Sequence, residues 1–118
     1  MFLERLAGIR SRIEGARALS LIDKDGIPIE SVSADPDLNI ELLAAEMIAQ
    51  ARSISDDHCE LGVGEVQQFS VSTDRLILMV SSVGKGYFLL LVLGVGGSYG
   101  WARFELRRAR LLLDDDLY

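Results

Sequence analysis

Residues 87 to 93, YFLLLVL, are apolar at every position. Successive side chains of a strand point to opposite faces, so a run with no polar alternation needs cover on both sides. The stretch Tyr87 to Val95 is also far short of the roughly 20 residues that a membrane helix requires. It reads as the central strand of a sheet held between two layers of helix, and the rest of the chain must supply the layers and the neighbouring strands.

One pair of strands comes from residues 18 to 33, ALSLIDKDGIPIESVS. Leu19, Leu21 and Ile22 precede a turn at Asp25-Gly26, Ile27, Ile29 and Val32 follow it, and Gly26 supplies the positive φ of a tight hairpin. Such a hairpin is marginal alone in water and needs further strands and a covering helix. GEVQQFSVST (64 to 73) mixes polar and apolar residues as a half-covered edge strand does, and RLILMVSSV (75 to 83) is more apolar. Gly84-Lys85-Gly86 turns the second of these into the central run.

Three segments have helical periodicity. Phe2, Leu6, Ile9 and Ile13 recur on one side of residues 2 to 14, and Gly15 stops that helix. Pro36 disfavours a helical Asp35, and Asp37 is placed to cap a second helix over residues 38 to 53. Projected at 100° per residue, Ile40, Leu43, Ala44, Met47, Ile48 and Ala51 form a broad face for the sheet. A second stripe holds Leu38, Leu42, Ala45 and Ala49, separated from the first by Glu41 and Arg52 on one side and by Asn39, Glu46, Gln50 and Ser53 on the other. The stripe asks for a partner whose helix the small alanines would admit closely; alanine is also a good helix former at exposed positions, so both readings stand. Arg52 pairs with Glu41 or with solvent. Ser55 to Glu60 reads as a polar loop. The third helix, residues 101 to 113, buries Ala102, Leu106, Ala109 and Leu113, with Trp101, Phe104 and Leu112 widening that side, and carries a stripe of Arg103, Arg107 and Arg110. Asp114 to Asp116 follow at the end where the helix dipole does not favour acid.

The 118 residues fit one domain, residues 1 to 118. A formal net charge of −6 argues against gripping a phosphate backbone, which takes clustered Lys and Arg, so nucleic acid is not expected as a partner. The single cysteine, Cys59, forms no intrachain disulfide and fits a reducing compartment. Charges at residues 4, 5, 10 and 12 interrupt what a signal peptide would need as an apolar core. A soluble, cytoplasmic protein with no membrane insertion is expected.

Catalytic and cofactor chemistry is sought and not found. GVGGSYG (94 to 100) follows a strand and precedes a helix, but Tyr99 stands where a dinucleotide fingerprint has its third glycine, and no Lys-Ser or Lys-Thr pair ends it as in a P-loop. His58 beside Cys59 makes a poor nucleophile and base, since adjacent side chains rarely face each other, and Asp56-Asp57-His58 is a weak metal set. No catalytic residue, metal or cofactor is expected.

The hairpin ALSLIDKDGIPIES, the strands GVGEVQQFSVSTDRLILMVSSVGKGYFLLLVLG and the ending YGWARFELRRARLLL together resemble the roadblock family of dynein-light-chain-like domains, over about residues 5 to 113. The resemblance implies an α+β, profilin-like and longin-like fold in the order α-β-β-α-β-β-β-α. Its five-stranded antiparallel sheet has the order 2-1-5-4-3, with one helix on one face and two on the other. It implies a homodimer, or a heterodimer with a paralogue, joined through the second helix and third strand. Here those positions hold Leu38, Leu42, Ala45, Ala49, Val66, Phe69 and Val71. It further implies a non-catalytic regulator that binds a small Ras-like GTPase and modulates its nucleotide cycle. Two copies of the second helix would then present Asn39, Glu46, Gln50 and Ser53 as a partner-binding platform, with the arginine stripe as the next choice. An adaptor subunit without effect on GTP hydrolysis is the alternative, and a small-ligand sensor on the mixed sheet a third reading.

Overall fold

The chain runs α1 (Phe2–Ser11), β1 (Ala16–Ile22), β2 (Pro28–Ser33), α2 (Ile40–Leu61), β3 (Gln68–Ser72), β4 (Leu76–Val83), β5 (Tyr87–Gly94) and α3 (Tyr99–Asp114). The computed structural model describes the backbone of residues 2–114 and their side chains, those of residues 2, 3, 56–59 and 114 excepted. All strand pairings are antiparallel, and the sheet has the order β2-β1-β5-β4-β3.

β5 is central, as its unbroken apolarity predicts. Leu89, Leu91 and Leu93 enter one core with Leu6, Ile9 and Ile13 of the α1 segment and Ala102, Leu106, Ala109 and Leu113 of α3. Leu90 and Val92 enter the other, with Ala44, Met47 and Ile48 of α2. The period-2 alternation of a strand thus divides one apolar run between two cores. On the flanking strands, Leu19 and Met79 both pair with Leu91. Ser20, buried on β1, is satisfied by the Ser31 hydroxyl at 2.7 Å across the hairpin.

The hairpin turn is built around Asp23. Its Oδ1 accepts from the backbone N–H of Asp25 at 2.9 Å and of Ile27 at 3.0 Å, the local bonding that suits Asp to turns. Gly26 has φ 84°, and a Cβ there would lie 3.5 Å from Ala45 Cα. The turn therefore lies against α2.

Several element boundaries differ from the sequence expectation. α1 leaves helical geometry after Ser11 through i to i−3 bonds from Arg12 and Ile13, yet Ile13 still reaches the core. α2 starts at Ile40 and continues through the expected polar loop to Leu61. No glycine or proline interrupts residues 54 to 61, propagation of a nucleated helix is inexpensive, and Gly62, at φ 72°, is the first residue suited to a left-handed cap. β3 begins at Gln68 rather than 64, because Gly64 at φ 96° lies outside strand geometry. α3 begins two residues early, since Ser98 caps it by accepting from the Trp101 N–H at 3.2 Å.

The buried side of α3 is narrower than expected. Ala102 and Ala109 let the helix sit close on the sheet, and Trp101, Phe104 and Leu112 are 49%, 56% and 49% exposed. Glu105 is buried instead and bridges to Arg108 at 3.6 Å.

Candidate functional site

The two faces of α2 are distinct in space. Ala44, Met47, Ile48 and Ala51 are buried, while Leu42 is 68% exposed, and Ala45 and Ala49 are exposed beside it. Leu38 does not extend this stripe: it precedes the helix in a turn closed by its own N–H donating to Asp35 O, and it packs on the α2-side core. The apolar outer surface of α2 is therefore Leu42, Ala45 and Ala49.

α2 lies nearest β1 and β2. On the same side of the sheet, Phe69 and Leu76 are only partly covered and Val71 is 40% exposed. These residues alternate along the edge strand β3 and its neighbour, so an open apolar strip runs beside α2. Val66 lies just before β3, half-buried, in the cleft between that segment and α2.

The four residues of the expected platform are all exposed but are not equivalent. Asn39 is the N-cap in place of Asp37, its Oδ1 accepting from the Leu42 N–H at 3.1 Å. Glu46 and Gln50 are joined by a 3.3 Å hydrogen bond along the helix, and Ser53 follows one turn on. Arg52 bridges to Asp25 of the hairpin turn at 3.8 Å, rather than to Glu41. Removing the cap bond by Asn39→Ala should cost about 1 kcal/mol. Thermal and urea unfolding will read it, and stability equal to the wild type would mean that this bond contributes nothing net.

Arg103 and Arg107 face a different cleft, on the α3 side of the sheet, and Arg110 lines both that cleft and the one that holds Val66. The side chains of Asp56 to Cys59, which include the weak metal set and the His58-Cys59 pair, lie outside the described residues, as does the acidic end from Asp114. Among the described residues no cluster of metal-binding groups is present. Nor is any described helix long and apolar enough to cross a membrane. What sequence reasoning missed in the open strip beside α2 is Leu76, which had no mark to distinguish it from the apolar residues of a covered strand. The exposure of Val71, which pairs with Leu78, was foreshadowed by the half-polar composition of residues 64 to 73.

The sequence model of the Roadblock/LC7 domain matches residues 4–93. No curated protein matches the chain. Among solved structures, it is similar to a Roadblock/LC7 domain from Streptomyces avermitilis, with TM-score 0.86 and 23% identity over 98% of this chain and 97% of that one. It is similar to the gliding protein MglB from Thermus thermophilus, with TM-score 0.86 and 22% identity over 98% and 90% of the two chains. A further MglB, described with a tetrameric arrangement, has TM-score 0.86 and 22% identity over 98% and 89%.

Proposed function

We propose, since this chain belongs to the Roadblock/LC7 domain family, that it is a non-catalytic regulatory protein that pairs with a second copy through α2 and β3 and binds a small Ras-like GTPase. The observation that carries the reading is the adjacency of two unpartnered apolar surfaces, the Leu42, Ala45 and Ala49 stripe and the Phe69, Val71 and Leu76 strip. One exposed leucine is ordinary in a monomer. Here a helix of a second copy, related by a two-fold axis, can cover the strip while its own stripe meets that of the first. A relative of the same fold described with a tetrameric arrangement supports self-association.

The GTPase half of the proposal is supported by the family resemblance and by where the polar residues lie. Glu46, Gln50 and Ser53 border the apolar stripe, so pairing brings both copies of this edge beside the axis and makes one shallow platform. A GTPase seated across that axis blocks the second, equivalent position, giving two protomers per GTPase.

Calorimetry with the small GTPase recovered by affinity capture tests this. The expected stoichiometry is one GTPase per two protomers, with affinity reduced in a Glu46→Arg and Gln50→Ala double variant. One GTPase per protomer, or unchanged affinity in the variant, moves docking away from α2. A GTP-hydrolysis assay on the same complex separates regulation from bare scaffolding, because a scaffold leaves the rate unchanged.

A further inference from the structure

On the side of the sheet opposite α2, a cleft of about 430 Å³ separates α3 from the β3 edge. Arg103, Arg107 and Arg110 line it from the helix, and Gln67 and Gln68 line it from the edge, with Phe104 adding an aromatic surface. Arg110 Nη1 donates to Gln67 Oε1 at 3.3 Å. No carboxylate lines the cleft, and none of the three arginines forms an ion pair among the described residues. Like charges three and four residues apart on a helix repel, so the cluster destabilises α3 when nothing answers it. In a chain of net charge −6 acids are plentiful, yet the neighbouring Glu105 pairs with Arg108 instead. A larger basic cleft beside α2, which shares Gln67 and Arg110 with this one, differs in this respect: Glu65 lines it and its Arg52 is bridged to Asp25, whereas Arg103 and Arg107 face only the α3 cleft.

We propose that the α3 cleft binds a small phosphate-bearing ligand of the nucleotide class, with its phosphates on Arg103, Arg107 and Arg110 and its ring on Phe104. The guanidinium is a planar fork that matches phosphate oxygens two at a time, and three of them balance the charge of a diphosphate. The volume is that of a small-ligand site. Phe104 is held ready: it stacks on Trp101 at a centroid distance of 5.4 Å, and the indole N–H of Trp101 donates to Arg12 O at 3.0 Å. An aromatic face fixed beside cationic groups favours a stacked base. The amide of Gln67, whose oxygen already accepts from Arg110, has its N–H donors available for the polar edge of the ligand.

The test uses the protein alone, without any GTPase, so its outcome is independent of the α2 reading. Calorimetry at low ionic strength compares pyrophosphate with ADP, a probe carrying both a diphosphate and a ring. Both should bind, ADP at least fivefold more tightly. An Arg103→Gln and Arg107→Gln double variant should weaken both at least tenfold. Phe104→Ala should bring ADP down to the affinity of pyrophosphate and leave pyrophosphate unchanged. Arg75→Gln, in the turn at the other end of β3, should change neither. Circular dichroism confirms that each variant is folded, and Arg107→Gln alone replaces the double variant if that one is not. No binding of either probe at millimolar concentration, or unchanged affinity in the arginine variant, overturns the site. Equal affinity for ADP and pyrophosphate overturns the nucleotide assignment. Sedimentation with phosphatidylglycerol vesicles, in the absence of binding to either soluble probe, would reassign the arginines to a membrane surface.

Discussion

Leu91→Ala is expected to lower the unfolding free energy by about 2–5 kcal/mol, a large share of the roughly 5–15 kcal/mol that holds a domain folded. Leu91 is fully buried, pairs with β1 on one side and β4 on the other, and packs under α1 and α3. Its neighbours are anchored by three elements at once, so the cavity left by the deleted methyl groups cannot close by a local shift. Urea titration should show a lower midpoint with an unchanged slope, the mark of lost stability without a changed denatured state. A loss below about 1 kcal/mol would mean that the core collapses around the deletion, contrary to this account.

Ala45→Glu is expected to convert a dimer into a folded monomer. Ala45 is exposed in the single chain, so the fold tolerates the substitution. In a paired α2 the new carboxylate loses water without gaining a partner, at a cost of several kcal/mol, so self-association should weaken by roughly a hundredfold or more. Light scattering at micromolar concentration should give a dimer for the wild type and a monomer for the variant, with matching circular dichroism spectra. A wild-type monomer under those conditions would overturn the pairing, and an undiminished variant dimer would place the interface elsewhere.

Elements whose signals are local were legible in the sequence. The run from Tyr87 marks its own central position, and the buried face of α2 follows from periodicity alone. The sequence was a poorer guide where a boundary or a face depends on what lies across the fold. Polarity in residues 55 to 60 looked like a loop, although the backbone continues as helix through them. Trp101 and Phe104 looked like core because they are aromatic, but two alanines had already brought α3 down onto the sheet on its other side. Leu38 fitted an i, i+4 spacing on paper, and the turn at Pro36 and Asp37 then removed it from the helix. The arginine stripe was visible as a stripe. Its glutamine-lined opposite wall was not, since Gln67 and Gln68 are brought to it only by the pairing of β3 with β4.

The position of β5 also has a consequence for the birth of the protein on the ribosome. β1 is made early and β5 late, yet Leu19 finds its inner sheet partner only in Leu91. Both cores draw on β5, so neither layer of helix has its full seat before Tyr87–Gly94 has left the exit tunnel. Such distant pairings are slow to form, and unpaired apolar strands adhere to other chains while they wait. Residues 18 to 22, ALSLI, spend that interval without their inner neighbour, the longer wait of the two strands that pair with β5.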